Sequence, residues 1–148
     1  MNEIIPQASI SEVTMSWLLV TAAAAVLFSL FEAWLATLII YVKVAALKKL
    51  FPSPHNLIKS HVDYLLMAAL LGTVYFSCLH LGIALPKYII VILCIGAIYN
   101  PFGFILKAMN PGAGSVDSVL GKIALCVGFL PATIGFGYSM IAILGRLV

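Results

Sequence analysis

Charged side chains are scarce in this sequence, with eight basic and five acidic among 148 residues. A soluble domain carries about 25% charged residues, so the scarcity excludes one. Cysteine is sparse too. Cys78, Cys94 and Cys126 stand singly and far apart with no CxxC, so neither a zinc site nor a redox dithiol is indicated and the three read as small hydrophobes. There is no internal repeat and no low-complexity tract. A positively charged leader is also missing. The chain opens with Glu3 and Glu12, and its first apolar stretch is too long for a signal h-region, so no cleavable signal peptide is expected.

What is present is apolar surface: 64% of the residues and a mean hydropathy of +1.17. Four apolar stretches cover 13–42, 58–85, 88–106 and 119–147. Crossing a hydrocarbon core of about 30 Å takes about 20 residues of helix, and all four are near or above that. The expectation is an all-α, integral membrane four-helix bundle. It forms one transmembrane domain over 1–148, with helices at about 13–46, 54–84, 87–107 and 118–147. Short connections leave no room for a separate soluble domain.

The basic residues report orientation. Lys43, Lys48, Lys49 and Lys59 flank the first connection, and Lys107 and Lys122 the third, against Lys87 and Arg146 on the other side. That bias places the loops 43–59 and 107–118 in the cytoplasm and both termini outside. It gives no reason to expect nucleic acid as a partner. Length and the lack of a targeting peptide suit a bacterial inner membrane.

Local signals punctuate the spans. Trp17 is an interfacial anchor, and the run Ala22-Ala23-Ala24-Ala25 permits close helix approach. Ser53-Pro54 reads as an N-cap followed by proline at the first helical position. Ala68 and Gly72 are spaced as a packing face, and Pro86 ends the second helix. Asn110 to Gly114 is a turn by composition, Asp117 or Ser118 can cap the fourth helix, and Pro131 predicts a bend in it.

Against this apolar background a few polar groups stand out. Ionisable groups in lipid cost about 2.5–3.5 kcal/mol each on insertion scales, so they persist where they pair, bind a ligand or face water. Ser60-His61-Val62-Asp63-Tyr64 lies just inside the second span and Tyr99-Asn100-Pro101 near the matching end of the third. Their depths are compatible with one shared pocket. Glu32 lies about 16 Å from Lys43 along the first helix, close to the bilayer midplane, where a carboxyl is protonated or paired. His61 and Asp63 are about 200° apart around their helix, so Tyr64, at i+3, is better placed than Asp63 to orient His61. His80 is about 28 Å from His61, so one haem cannot take both. Each residue also has a plain structural reading. His61 can be an interfacial polar residue, Asp63 can bridge to Lys59, Asn100 can bond a carbonyl freed by Pro101, and Glu32 can pair inside the bundle.

Ser60-His61 opens the second span, Asn100-Pro101-Phe102-Gly103-Phe104 comes late in the third, and Asn110-Pro111-Gly112 opens the third connection. Together they resemble the styrene oxide isomerase family over about residues 55–145, as a divergent member. The first span matches only in being apolar. The resemblance implies a four-helix bundle assembled as a homotrimer, with haem b held by His61 and part of the haem site between subunits. Ferric haem iron then acts as a Lewis acid on an epoxide oxygen. The carbon–oxygen bond opens, a hydride shifts, and an aldehyde forms without net redox change. Asn100 lines the substrate side. The chain departs from the family pattern in carrying Met67 where the family has asparagine, Phe104 and Ile105 where it has tyrosine, and Gly96 where it has an acid. Tyr64, Tyr99 and Asp63 are nearby sources of similar groups.

Three functional readings follow from the sequence. One is a haem-dependent isomerase of a small apolar epoxide, with His61 on the iron and Asn100, Tyr64 and Tyr99 as catalytic candidates. Another is a haem-binding membrane protein without that chemistry, serving redox, sensing or haem handling. The third is a small proton-coupled transporter built on Glu32.

Overall fold

In a computed structural model that describes residues 10–112 and 119–148, every element is helical. Four segments are long and apolar enough to cross a membrane: Thr14–Ile40, Pro54–Leu81, Lys87–Met109 and Gly121–Leu147. The chain is an all-α, multi-pass membrane protein. The helices are α1 (Ile10–Ile40), α2 (Ala45–Leu50), α3 (Pro54–Leu81), α4 (Lys87–Met109), α5 (Val119–Ala124) and α6 (Leu130–Leu147). A π-helical turn over Leu125–Phe129 joins α5 to α6 in the fourth span.

The principal packing is between α1 and α3. Helix α1 buries Met15, Leu18, Ala22, Ala25, Ser29, Glu32, Ala36 and Ile39, and α3 buries Leu57, Ser60, Tyr64, Met67, Leu71, Val74 and Cys78. Both series step by three and four residues in alternation. That spacing keeps one seam facing a partner helix along its whole length, as in the shallow left-handed crossing of coiled coils. Helix α4 packs against α3 and α1, while the fourth span rests mainly on α4.

Close approach of α4 to the fourth span depends on missing side chains. A Cβ at Gly96 would stand 2.6 Å from Ala132 Cα, and one at Gly128 would stand 2.9 Å from Asn100 N and Cα. Small residues at such contacts let backbones meet where lipid offers no hydrophobic drive for association.

The first helix ends at Ile40, earlier than the expected 46, because the chain turns and starts again as α2. Val44 N bonds back to Leu38 O at 3.2 Å, and Lys43 between them has φ 59°. This is a left-handed C-terminal stop of the kind glycine usually serves. Lysine there carries a steric cost of about 1–2 kcal/mol. A left-handed residue also ends α3, here a glycine in a turn one residue tighter: Gly82 has φ 63°, and Ile83 N bonds to Cys78 O at 2.8 Å.

Pro54 stands in the first turn of α3, as its sequence signal suggests, but Ser53 makes no side-chain cap. Its hydroxyl instead accepts a bond from Asn56 Nδ2 at 3.0 Å. At the end of α4, Gly112 N bonds to Asn110 Oδ1 at 3.1 Å, closing a turn. The proposed caps Asp117 and Ser118 lie outside the described residues. Pro131 stands in the first turn of α6, two residues beyond the end of the π-helical turn at Phe129.

The α4 contact yields a stability prediction. Gly96→Val is expected to push the fourth span off α4 and lower stability by about 1–3 kcal/mol, read as a fall in the thermal unfolding midpoint in detergent. An unchanged midpoint would mean that the two helices do not meet at Ala132.

Candidate functional site

The heptad seam carries four polar side chains among apolar ones: Ser29 and Glu32 on α1, Ser60 and Tyr64 on α3. Ser29 and Ser60 are fully buried and Glu32 is 1% exposed. His61, half-buried, lies on the α1 flank of this seam.

Ser29 grips His61 with both its hydroxyl and its backbone. His61 Nδ1 is 2.9 Å from the Ser29 carbonyl oxygen and 2.6 Å from Ser29 Oγ. Ser29 Oγ in turn donates to the His61 carbonyl at 3.0 Å. A backbone carbonyl can only accept, so the Nδ1 nitrogen carries the proton. In the neutral ring Nε2 then holds the free lone pair. This is the arrangement found behind metal-bound histidines, where the far nitrogen is tied to a carbonyl or carboxylate and the near one ligates.

Tyr64 does not orient His61. Its hydroxyl donates to Ile98 O at 2.9 Å on α4, and its ring stacks edge-on to Phe28 of α1 with centroids 5.0 Å apart. It ties three helices together. Ser60 Oγ donates to Pro101 O at 3.2 Å, so carbonyls of the proline turn are met from α3. Asn100 has a different task. Its amide donates to Asp63 Oδ2 at 3.3 Å, and Asp63 therefore reaches across to α4 instead of back to Lys59.

These bonds sort the expected residues onto two flanks of α3. His61 turns toward α1, whereas Asp63 and Asn100 meet on the α4 side. Ser60, Asp63 and Tyr64 are brought against residues 98–101 of α4, as their depths suggest, while His61 lies apart from them. The cause is angular: residues two apart on a helix diverge by about 200°, whatever their depth. Tyr99 is exposed and lines a cleft of about 180 Å³ between α4 and the fourth span, with Phe102, Gly103 and Val127. Asp63 lines a more open cleft of about 360 Å³ with Lys59, Val62, Leu66 and Phe104. His61 lines neither cleft.

At a rise of about 1.5 Å per residue, Glu32 lies about 7.5 Å along α1 from Leu27, the middle of Thr14–Ile40. The Ser60 hydroxyl lies beside its carboxyl, but that hydroxyl's proton goes to Pro101 O. Both Glu32 oxygens are buried without a hydrogen-bond partner.

Among the described residues no group of three or more His, Cys, Asp or Glu side chains is placed to hold a bare metal ion. A haem iron needs less from the protein, since one imidazole nitrogen can hold it. The position where the family pattern carries an acid is closed here. Gly96 is packed so tightly on Ala132 that no side chain fits. No family model, curated protein or solved structure matches the chain.

Ser29 was not among the residues singled out in the sequence. The signal for it was the three-and-four spacing itself, in which Ser29 and Glu32 fall at successive seam positions.

An orphaned carboxyl at a seam position costs about 1–3 kcal/mol. Glu32→Met, which fills the same space without polar atoms, is expected to raise the unfolding midpoint of the purified protein. A clear fall would instead mean that the carboxyl has a partner, such as an internal water or ion.

Proposed function

We propose that this chain is a haem-b-binding membrane protein of the styrene oxide isomerase type, with His61 as the axial ligand. The observation that carries the reading is the Ser29–His61 contact, 2.9 Å from Nδ1 to a backbone carbonyl, which leaves Nε2 free and the ring fixed. Haem chemistry at that position would supply a Lewis-acidic ferric centre for the oxygen of a small apolar epoxide, which forms an aldehyde by isomerisation. The chain's own contribution is orientation. Ser29 holds the ring and its tautomer, and the buried seam behind it keeps water from the Nδ1 side. A homotrimer would bring a neighbouring subunit against the His61 flank and complete the site, with loops 43–59 and 107–118 facing the cytoplasm of a bacterial inner membrane.

Two observations favour a second reading, haem binding without isomerase activity. Asn100 is engaged by Asp63 on the flank away from His61, and Gly96 has no space for an acid.

Absorption spectra of detergent-purified wild type, His61→Ala and Ser29→Ala test the reading. A Soret band is expected in the wild type and its loss in His61→Ala. Ser29→Ala is expected to bind haem about 10–100-fold more weakly, the usual effect of removing a group behind a metal-bound histidine. A folded wild type that takes up no haem would sink both haem readings and direct attention to Glu32 and transport. With haem bound, conversion of styrene oxide to the aldehyde without added reductant separates the isomerase from the second reading.

A further inference from the structure

The end of the bundle that carries the first connection presents a run of cations. Lys43, Lys48, Lys49 and Lys59 are all exposed, and no acidic residue stands between Val42 and Lys59. Exposed apolar groups accompany them: Tyr41 at 79%, Val42 at 62% and Leu50 at 50%. Helix α2 is fixed beneath this surface by Phe51, which is buried, and by Leu47, which packs on the core. Apolar side chains flanked by lysines suit the level where acyl chains meet headgroups, because the stems lie in hydrocarbon while the ammonium groups reach the polar layer.

Lys43 adds an independent sign. It occupies the left-handed stop between α1 and α2, a position where glycine would be free of strain. A strained residue persists where the surroundings or a function hold it there. Here lysine offers a cation that glycine does not.

We propose that the α1–α2 turn and α2 form a binding platform for anionic phospholipid. Lys43, Lys48 and Lys49 contact the phosphodiesters, while Tyr41, Val42 and Leu50 sit among the upper acyl chains. Charge decides the occupant. Zwitterionic headgroups bring an ammonium of their own toward the lysines, whereas phosphatidylglycerol brings a net negative charge. A second copy of the chain would meet this face with the same positive sign, and a soluble polyanion would leave the exposed Tyr41, Val42 and Leu50 in water.

The test reconstitutes the full chain in nanodiscs of phosphatidylcholine, alone or mixed with phosphatidylglycerol or phosphatidylethanolamine. It records thermal unfolding and the lipids retained in native mass spectra. Phosphatidylglycerol is expected to raise the unfolding midpoint and to be retained in preference to the other two, and high salt is expected to weaken both effects. Each of Lys43→Gln, Lys48→Gln and Lys49→Gln is expected to weaken phosphatidylglycerol binding about fivefold, which corresponds to ~1 kcal/mol per surface lysine. Lys43→Gly separates binding from folding. It is expected to raise the midpoint in phosphatidylcholine, by relieving the left-handed lysine, yet to lose phosphatidylglycerol affinity as Lys43→Gln does. Equal retention of all three lipids overturns the proposal. So does undiminished phosphatidylglycerol binding in Lys43→Gly or in the triple Gln variant.

Discussion

Between two helices in a bilayer the hydrophobic effect contributes little, because lipid tails are as apolar as leucine. Association then rests on fit and on polar bonds across the contact. The α1–α3 seam supplies both. Its three-and-four spacing brings Ala22, Ala25 and Ala36 of α1 into the same interface as Leu57, Met67 and Leu71 of α3, and it aligns Ser29 with His61. Helix α4 joins this pair through Tyr64 and Ser60, which donate to its backbone near Pro101. The fourth span then follows α4 through glycine contacts. Each later layer takes its position from the seam.

The seam also sets the character of the candidate site. A histidine one position off a heptad stripe is half in the interface and half out of it. His61 is thus held by Ser29 on one side while the residue as a whole stays half-buried. Asp63 lies on the opposite edge of α3 and is bonded there by Asn100 of α4. Ser60, Asp63 and Tyr64 all bond to α4 near Pro101, and His61 alone of the cluster's polar residues turns to α1.

Much of the architecture was legible in the sequence. Four apolar stretches of sufficient length, the proline that opens α3 and the turn after Asn110 all left local signatures. The stop at Lys43 did not, because lysine replaces the glycine that would have marked it. His61, Asp63, Tyr64, Asn100 and Glu32 were conspicuous as polar residues in apolar runs. Their pairing was not legible, since depth along a span is readable from position whereas direction around a helix depends on which neighbour lies on which side. Ser29 is illegible for a related reason: a serine in a membrane helix is unremarkable until the seam phase is known. Gly96 shows the limit most plainly, because nothing in the chain around it announces that Ala132, distant in sequence, lies against it.

The π-helical turn at Leu125–Phe129 has a consequence for how this protein can vary. Such a turn carries one residue more than the α-helical ladder on either side. A residue gained within a regular helix would rotate everything beyond it by about 100°, turning Ala132, Gly135 and Ser139 away from α4. Held as a local bulge, the same residue leaves both halves of the span in phase with their partners. The fourth span therefore carries its extra residue while Ala132 and Gly135 keep their places against α4.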